Sequence, residues 1–210
     1  MDLLVTVQYL DWLGSAAFAV SGAIAAARRR FDVMGFVVVG AITGIGGGTL
    51  RDLLIGRLPV AWMVHPSSLY VSLVCPFAVF VLLRMRGHAI ETVPGLRWAD
   101  AVGLAVFSVL GCSAALERGI DPFIAAIMGA LTAAGGGVIR DLLCGTVPIV
   151  FRREVYILAA LTGGGLYAML RNLGLADPLA VPCALAVGFV LRAIAMVKGW
   201  SVPGWRERNR

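Results

Sequence analysis

The chain is poor in charge. Only 14% of its 210 residues are Asp, Glu, Lys or Arg, against 60% hydrophobic ones, and mean hydropathy is +0.89. A soluble domain of this length has no core large enough to hide that much apolar surface, so the remaining solvent is a bilayer. Parts for metal and nucleophile chemistry are also scarce. The two histidines, His65 and His88, stand alone near expected loops. The cysteines Cys75, Cys112, Cys144 and Cys183 are far apart in apolar segments, without metal-ligand spacing, and read as small packing residues. There is no GxxxxGKS/T loop, HExxH, Gly-x-Ser-x-Gly or TVGYG filter. These absences point to no metal, no cofactor and no enzyme. The start, MDLLVTVQYLDWLG, lacks a basic region and a small-residue cleavage site, so no cleaved signal peptide is expected.

What is present is a series of apolar runs near the 20 residues a membrane span needs. Seven are expected, at about 9–27, 32–55, 67–84, 99–116, 122–144, 154–171 and 178–197. Asp32 and Asp121 are placed to N-cap helices, with Pro122 at a first helical position. Gly56 with Pro59, and Gly145 with Pro148, read as stop signals. Little lies outside the spans, so residues 1–210 are expected to form a single transmembrane domain.

The basic residues report topology. Arg28, Arg29, Arg30, Arg84, Arg86, Arg97, Arg152, Arg153, Lys198, Arg206, Arg208 and Arg210 fall on one side of the expected spans. The other side receives Arg57, Arg118 and Arg171. Cytoplasmic loops carry the excess of Lys and Arg, which puts the N-terminus outside and the C-terminus in the cytoplasm. The net charge of +6 therefore speaks for membrane orientation and lipid contact. With no compact basic face or stacking platform, nucleic-acid binding is not expected.

The chain also repeats itself. GIGGGTLRDLLIGRLP (44–59) returns as AAGGGVIRDLLCGTVP (133–148), 89 positions later. Over Asp11–Val60, 22 of 50 positions are identical at that shift, including Asp11 with Asp100 and Phe18 with Phe107. Each unit (about 9–86 and 98–173) holds three spans, and three is odd. The second unit must enter the membrane from the opposite face, which makes the units inverted repeats about an axis in the membrane plane. The seventh span, about 178–197, has no partner. The fold class is thus all-α, two inverted three-helix repeats plus one helix.

The repeated segment is the candidate site. Three glycines within a helix cost about 1 kcal/mol each relative to alanine. Bare backbone in lipid is tolerated only where it packs in protein or lines a water-filled cavity. The second and fifth spans are therefore expected to kink or break at Gly46, Gly47, Gly48 and Gly135, Gly136, Gly137. Freed carbonyls there would face a cation, with Thr43 and Thr132 adding hydroxyls. Close helix packing is the other use of such glycines. Asp52 and Asp141 are expected to line a path while Arg51 and Arg140 pair with acids or cap carbonyls; anchoring at helix ends is the alternative. Asp11 and Asp100 read as caps at helix starts, and Arg192 as a snorkelling or pairing residue.

Seven spans with GGGxxRD in both the second and fifth resemble the bacterial branch of the trimeric intracellular cation channels, from about Asp11 through the seventh span. That resemblance implies a homotrimer in the bacterial inner membrane. It implies a pore in each subunit, lined by glycine-bent second and fifth helices, that passes potassium and other monovalent cations such as sodium. Animal members carry a lysine-containing motif where this chain has Arg-Asp, so inositol-lipid regulation does not transfer. Similar bacterial sequences are also labelled glycine transporters. The alternative function is accordingly a secondary transporter for a small zwitterion such as glycine.

Overall fold

The computed structural model describes residues 3–86, 95–151 and 155–201, without the side chains of Leu3, Leu4 and Arg86. His88, Arg152, Arg153, Arg206, Arg208 and Arg210 lie outside the described residues.

Eight helices are present among the described residues: α1 Leu3–Arg28, α2 Val33–Leu54, α3 Ala61–Val64, α4 Ser67–Arg86, α5 Gly95–Leu116, α6 Pro122–Leu143, α7 Ile157–Asn172 and α8 Asp177–Lys198. A 3₁₀ turn at Ile149–Phe151 precedes α7. Six helices are long and apolar enough to cross a membrane; α7, with 16 residues, is shorter than that group. The expected boundary signals work as chemistry. Asp32 Oδ1 accepts from the Gly35 N–H at 2.8 Å, and Asp121 Oδ1 from the Phe123 N–H at 2.9 Å. Both caps satisfy donors that a helix start leaves open. At the far ends, Gly56 (φ +67°) and Gly145 (φ +60°) take the left-handed conformation that closes a helix without a Cβ penalty.

α1, α2 and α4 pack on one another, as do α5, α6 and α7. The two units meet through α1 against α5 and α2 against α6. α8 lies along α7 and α5. Contacts between the units are reciprocal. A Cβ on Gly14 would sit 2.9 Å from the Phe107 ring, and one on Gly103 would strike the Phe18 ring. Phe18 and Phe107 stack between them with centroids 5.4 Å apart. Positions 14 and 18 correspond to 103 and 107, so each unit offers the other the same glycine and the same ring. A two-fold axis through the Phe18–Phe107 stack produces that exchange.

The glycine runs do not interrupt their helices, which corrects the expectation of a break. α2 stays helical through Gly46–Gly48 and α6 through Gly135–Gly137. The packing alternative explains why. A Cβ on Gly47 would overlap the Thr132 carbonyl oxygen, and one on Gly136 the Thr43 carbonyl oxygen. The backbones of α2 and α6 touch there, and each covers the other's bare backbone.

Candidate functional site

The string R-D-L-L-x-G is a helix end with a carboxylate built into it. After α2 the Arg57 N–H bonds the Asp52 carbonyl at 2.7 Å and the Gly56 N–H bonds Leu53 at 3.3 Å. After α6 the Thr146 N–H bonds Asp141 at 2.8 Å and the Gly145 N–H bonds Leu142 at 3.0 Å. These paired bonds satisfy the last carbonyls of each helix. They also hold the Arg-Asp pair one turn in from the end, where the chain folds back across it.

Both aspartates are spent in the same way. Asp52 Oδ1 accepts from Arg51 Nε at 2.9 Å, and its Oδ2 from the Ala61 N–H at 2.7 Å. Asp141 Oδ1 accepts from Arg140 Nε at 2.8 Å, and its Oδ2 from the Ile149 N–H at 2.9 Å. Asp52 is 1% exposed and Asp141 6%. Each carboxylate ties its own arginine to the returning strand of chain, and neither presents a bare oxygen to a path. The threonine hydroxyls are also engaged locally. Thr43 donates to Val39 O at 2.6 Å and Thr132 to Met128 O at 2.7 Å, each one turn back in its own helix.

The acids facing the arginines are instead Asp11 and Asp100, which do not cap helices. α1 starts at Leu3 and α5 at Gly95, so both lie inside the helices, each beside the arginine of its own unit. Asp100 Oδ1 takes Arg140 Nη1 at 2.6 Å, with both side chains fully buried, and Ser21 Oγ lies 3.0 Å from the same nitrogen. Asp11 shares a cavity with Arg51 and Asp52 and interacts with Ser68. Sequence reasoning missed Asp11, Asp100, Ser21, Ser68 and Tyr156 as site residues. For the aspartates the signal was available: they match one another at the 89-residue shift, as the Arg-Asp pairs do.

The molecule therefore carries two related polar sites, one at the C-terminal end of α2 and one at that of α6. They differ in space. The first encloses about 30 Å³ beside Asp11, Ser15, Gly44, Gly48 and Ser68, with Trp62 over it. Trp62 is held there by its Nε1–H bond to Thr49 Oγ1 at 2.9 Å. A water needs roughly 10–15 Å³, so the cavity holds about two water-sized bodies. The second site has no such space among the described residues: Tyr156, 2% exposed, fills it against Ala134, Gly137 and Arg140. The sites differ in charge as well. Two carboxylates (Asp11, Asp52) and one guanidinium (Arg51) line the first, with Arg57 near enough to act on Asp11. In the second, Arg192 from α8 joins Arg140 against Asp100 and Asp141, its guanidinium 5.0 Å from the Tyr156 ring centroid.

Inverted helical units meeting at glycines, with ionisable side chains at both ends of the seam, define a multi-pass membrane transport protein rather than an enzyme. The comparisons sharpen that class. A family model described as glycine transporter matches twice, over residues 8–84 and 97–172. The inner membrane protein YadS of Escherichia coli is 40% identical over 162 residues, 77% of each chain. The Bacillus subtilis membrane protein YvgT is 34% identical over 199 residues, covering 93% of this chain and 95% of its own. Among solved structures, the trimeric intracellular cation channel orthologue from Rhodobacter sphaeroides superposes with TM-score 0.85 at 40% identity, covering 92% of this chain and 98% of that one. A second structure, from work on conductance through TRIC cation channels, gives TM-score 0.85 at 32% identity over 97% and 98%. The chain belongs to the bacterial branch of the trimeric intracellular cation channel family. It is a multi-pass protein of the bacterial inner membrane.

Proposed function

We propose that this protein is a monovalent-cation channel that carries potassium, works as a homotrimer and holds a separate path in each subunit. Seven spans, with the N-terminus outside and the C-terminus in the cytoplasm, place the first polar site toward the outside and the second toward the cytoplasm. The path runs along the α2–α6 seam between them. α2 and α6 bend at Gly46–Gly48 and Gly135–Gly137 when it opens, since glycine there offers the least resistance to bending.

The observation that carries this reading is the first site's charge and room. Asp11 borders a cavity in which two carboxylates face one guanidinium. A low-dielectric wall around an excess carboxylate attracts a cation and repels an anion. The solved relatives named for cation conductance support the same assignment. The test is current across a planar bilayer containing purified protein under a potassium chloride gradient. Discrete steps reversing near the potassium equilibrium potential are expected, and Asp11→Asn should move the reversal potential toward zero. Steps that reverse near the chloride potential would defeat the proposal.

The second reading, transport of a small zwitterion, is favoured by the description of the matching family model. Its physical support is weaker. Unbroken α2 and α6 offer no half-helix N-termini near Thr49 and Val138 to hold a carboxylate. Saturable glycine counterflow in vesicles that show no current would reverse the ranking.

A further inference from the structure

We propose that Tyr156 is the plug that closes the second polar site, and that Arg192, on the helix the repeat does not supply, is the positioning residue that holds the plug in place. The inference rests on the channel reading above.

The repeat provides an internal control. At the 89-residue shift Tyr156 corresponds to Ser67, where α4 begins. Ser67 and Ser68 open α4 as Tyr156 opens α7, and Ser68 is the one that lines the first cavity and interacts with Asp11. The unit with serine has a cavity of about 30 Å³, and the unit with tyrosine has none among the described residues. The rest of the machinery is shared: an arginine, its neighbouring aspartate, the returning N–H and an aspartate from the first helix. Tyr156 is the large side chain that the second site has and the first does not, with Arg192 beside it.

Tyr156 is fixed from two sides. On the seam side, a Cβ on Gly137 would sit 3.1 Å from the Tyr156 hydroxyl and 3.3 Å from Asp100 Oδ1. The hydroxyl therefore reaches the bare glycine backbone beside the Asp100–Arg140 pair. On the other side is Arg192, 1% exposed, with its guanidinium 5.0 Å from the ring centroid. A desolvated guanidinium over a tyrosine face is among the stronger contacts of that kind. α8 has no counterpart in the first unit, so among the described residues the first site has no equivalent of Arg192. Arg192 also brings a buried positive charge to the second site. Withdrawing Tyr156 would leave the second site resembling the first, with room for water-sized bodies beside Asp100.

The test is single-channel recording of the full chain in planar bilayers with symmetric potassium chloride, comparing the parent with Tyr156→Ser, Tyr156→Phe, Arg192→Gln and Arg192→Lys. Tyr156→Ser installs the first unit's residue and should raise open probability about tenfold or more. Arg192→Gln removes the cation over the ring and should raise it about threefold to tenfold, with unit conductance and reversal potential unchanged. Arg192→Lys, which keeps the charge over the ring, should restore most of the parental behaviour. Tyr156→Phe keeps the ring and loses the hydroxyl, so it should fall between the parent and Tyr156→Ser, and it reports on the plug even if the serine variant does not fold. The double variant Tyr156→Ser/Arg192→Gln should match Tyr156→Ser alone, because Arg192 acts through the ring. A conducting parent whose folded tyrosine variants open no more often than it does overturns the plug and leaves the channel reading intact. Additive effects in the double variant overturn the role of Arg192. Silence of the parent and of every variant overturns the channel reading and this inference together.

Discussion

At the scale of single residues, the two related aspartates should respond differently to the same substitution. Asp100 is wholly buried and bonds Arg140, itself wholly buried. Asp100→Asn leaves that guanidinium with Asp141 as its one charged partner, and breaking a buried pair costs about 3–5 kcal/mol. Asp11 borders a cavity that admits water-sized bodies, so solvent can replace part of what the carboxylate loses. Asp11→Asn, which breaks no direct bond to a buried arginine, should cost clearly less than Asp100→Asn. Thermal melting in detergent checks this: a large drop for Asp100→Asn and a small one for Asp11→Asn. Equal drops would mean that the first site is as dry and as tightly paired as the second. The contrast also makes Asp11→Asn a clean probe of ion preference, because the variant stays folded.

At the scale of helices, the three glycines of each run are not equivalent. In α2 the middle one is the one that would clash with neighbouring backbone: a Cβ on Gly47 overlaps the Thr132 carbonyl oxygen. A Cβ on Gly46 would meet the movable Cδ1 of Ile139 at 3.0 Å, and one on Gly48 finds nothing nearer than Arg51 Nη2 at 3.8 Å. Gly47→Ala should therefore destabilise the protein by about 2–3 kcal/mol, as overpacking does. Gly48→Ala should be neutral or stabilising, because alanine is the better helix former. Melting curves of the two variants decide it; a Gly47→Ala protein as stable as the parent would deny the backbone contact of α2 with α6. If bending at the run also opens the channel, Gly48→Ala should hold open probability below the parent's despite its normal stability.

The same run shows how far the sequence could be read. Helix limits were legible because Asp32, Asp121, Gly56 and Gly145 cap by local chemistry that needs no neighbour. The seam was legible as glycine, but whether the glycine opened the backbone or let another backbone approach depended on what lay opposite. The partner, Thr132, is 85 residues from Gly47. For the same reason the partners of the conspicuous acids were not legible. Asp52 and Asp141 stood beside the conspicuous motif, yet both are used up by their own arginine and a returning N–H. Asp11 and Asp100 stood alone in helices whose N-terminal limits were misplaced by several residues. Tyr156 was invisible, since only the folded site reveals a large ring where the first unit has a cavity lined by Ser68.

At the scale of the whole molecule, the decisive question is whether α7 crosses. Its 16 residues span about 24 Å at 1.5 Å per residue, less than the ~30 Å hydrocarbon core. Its neighbours nevertheless sit at opposite ends of the bundle. The Tyr156 cap of α7 touches Arg140 near the end of α6 and Arg192 near the end of α8. At the other end of α7, Arg171 pairs with Asp177 at the start of α8 at 3.2 Å, and Tyr167 bonds Asp177 at 2.8 Å. A helix joined to α6 at one end and to the beginning of α8 at the other runs the length of the bundle, which supports the proposed seventh span, and local thinning of the bilayer can accommodate a short span. Three crossings, α6, α7 and α8, then separate Arg118 from Lys198. Single cysteines at those two exposed positions, in protein stripped of its four native cysteines, test this with a membrane-impermeant maleimide. In intact cells Arg118→Cys should label, and Lys198→Cys should label only after permeabilisation, because the basic ends belong in the cytoplasm. The reverse pattern would invert the molecule and put the Tyr156 site outside. Labelling of both cysteines from one face would mean that α7 does not cross, leaving an even number of spans and a second unit of two spans instead of three.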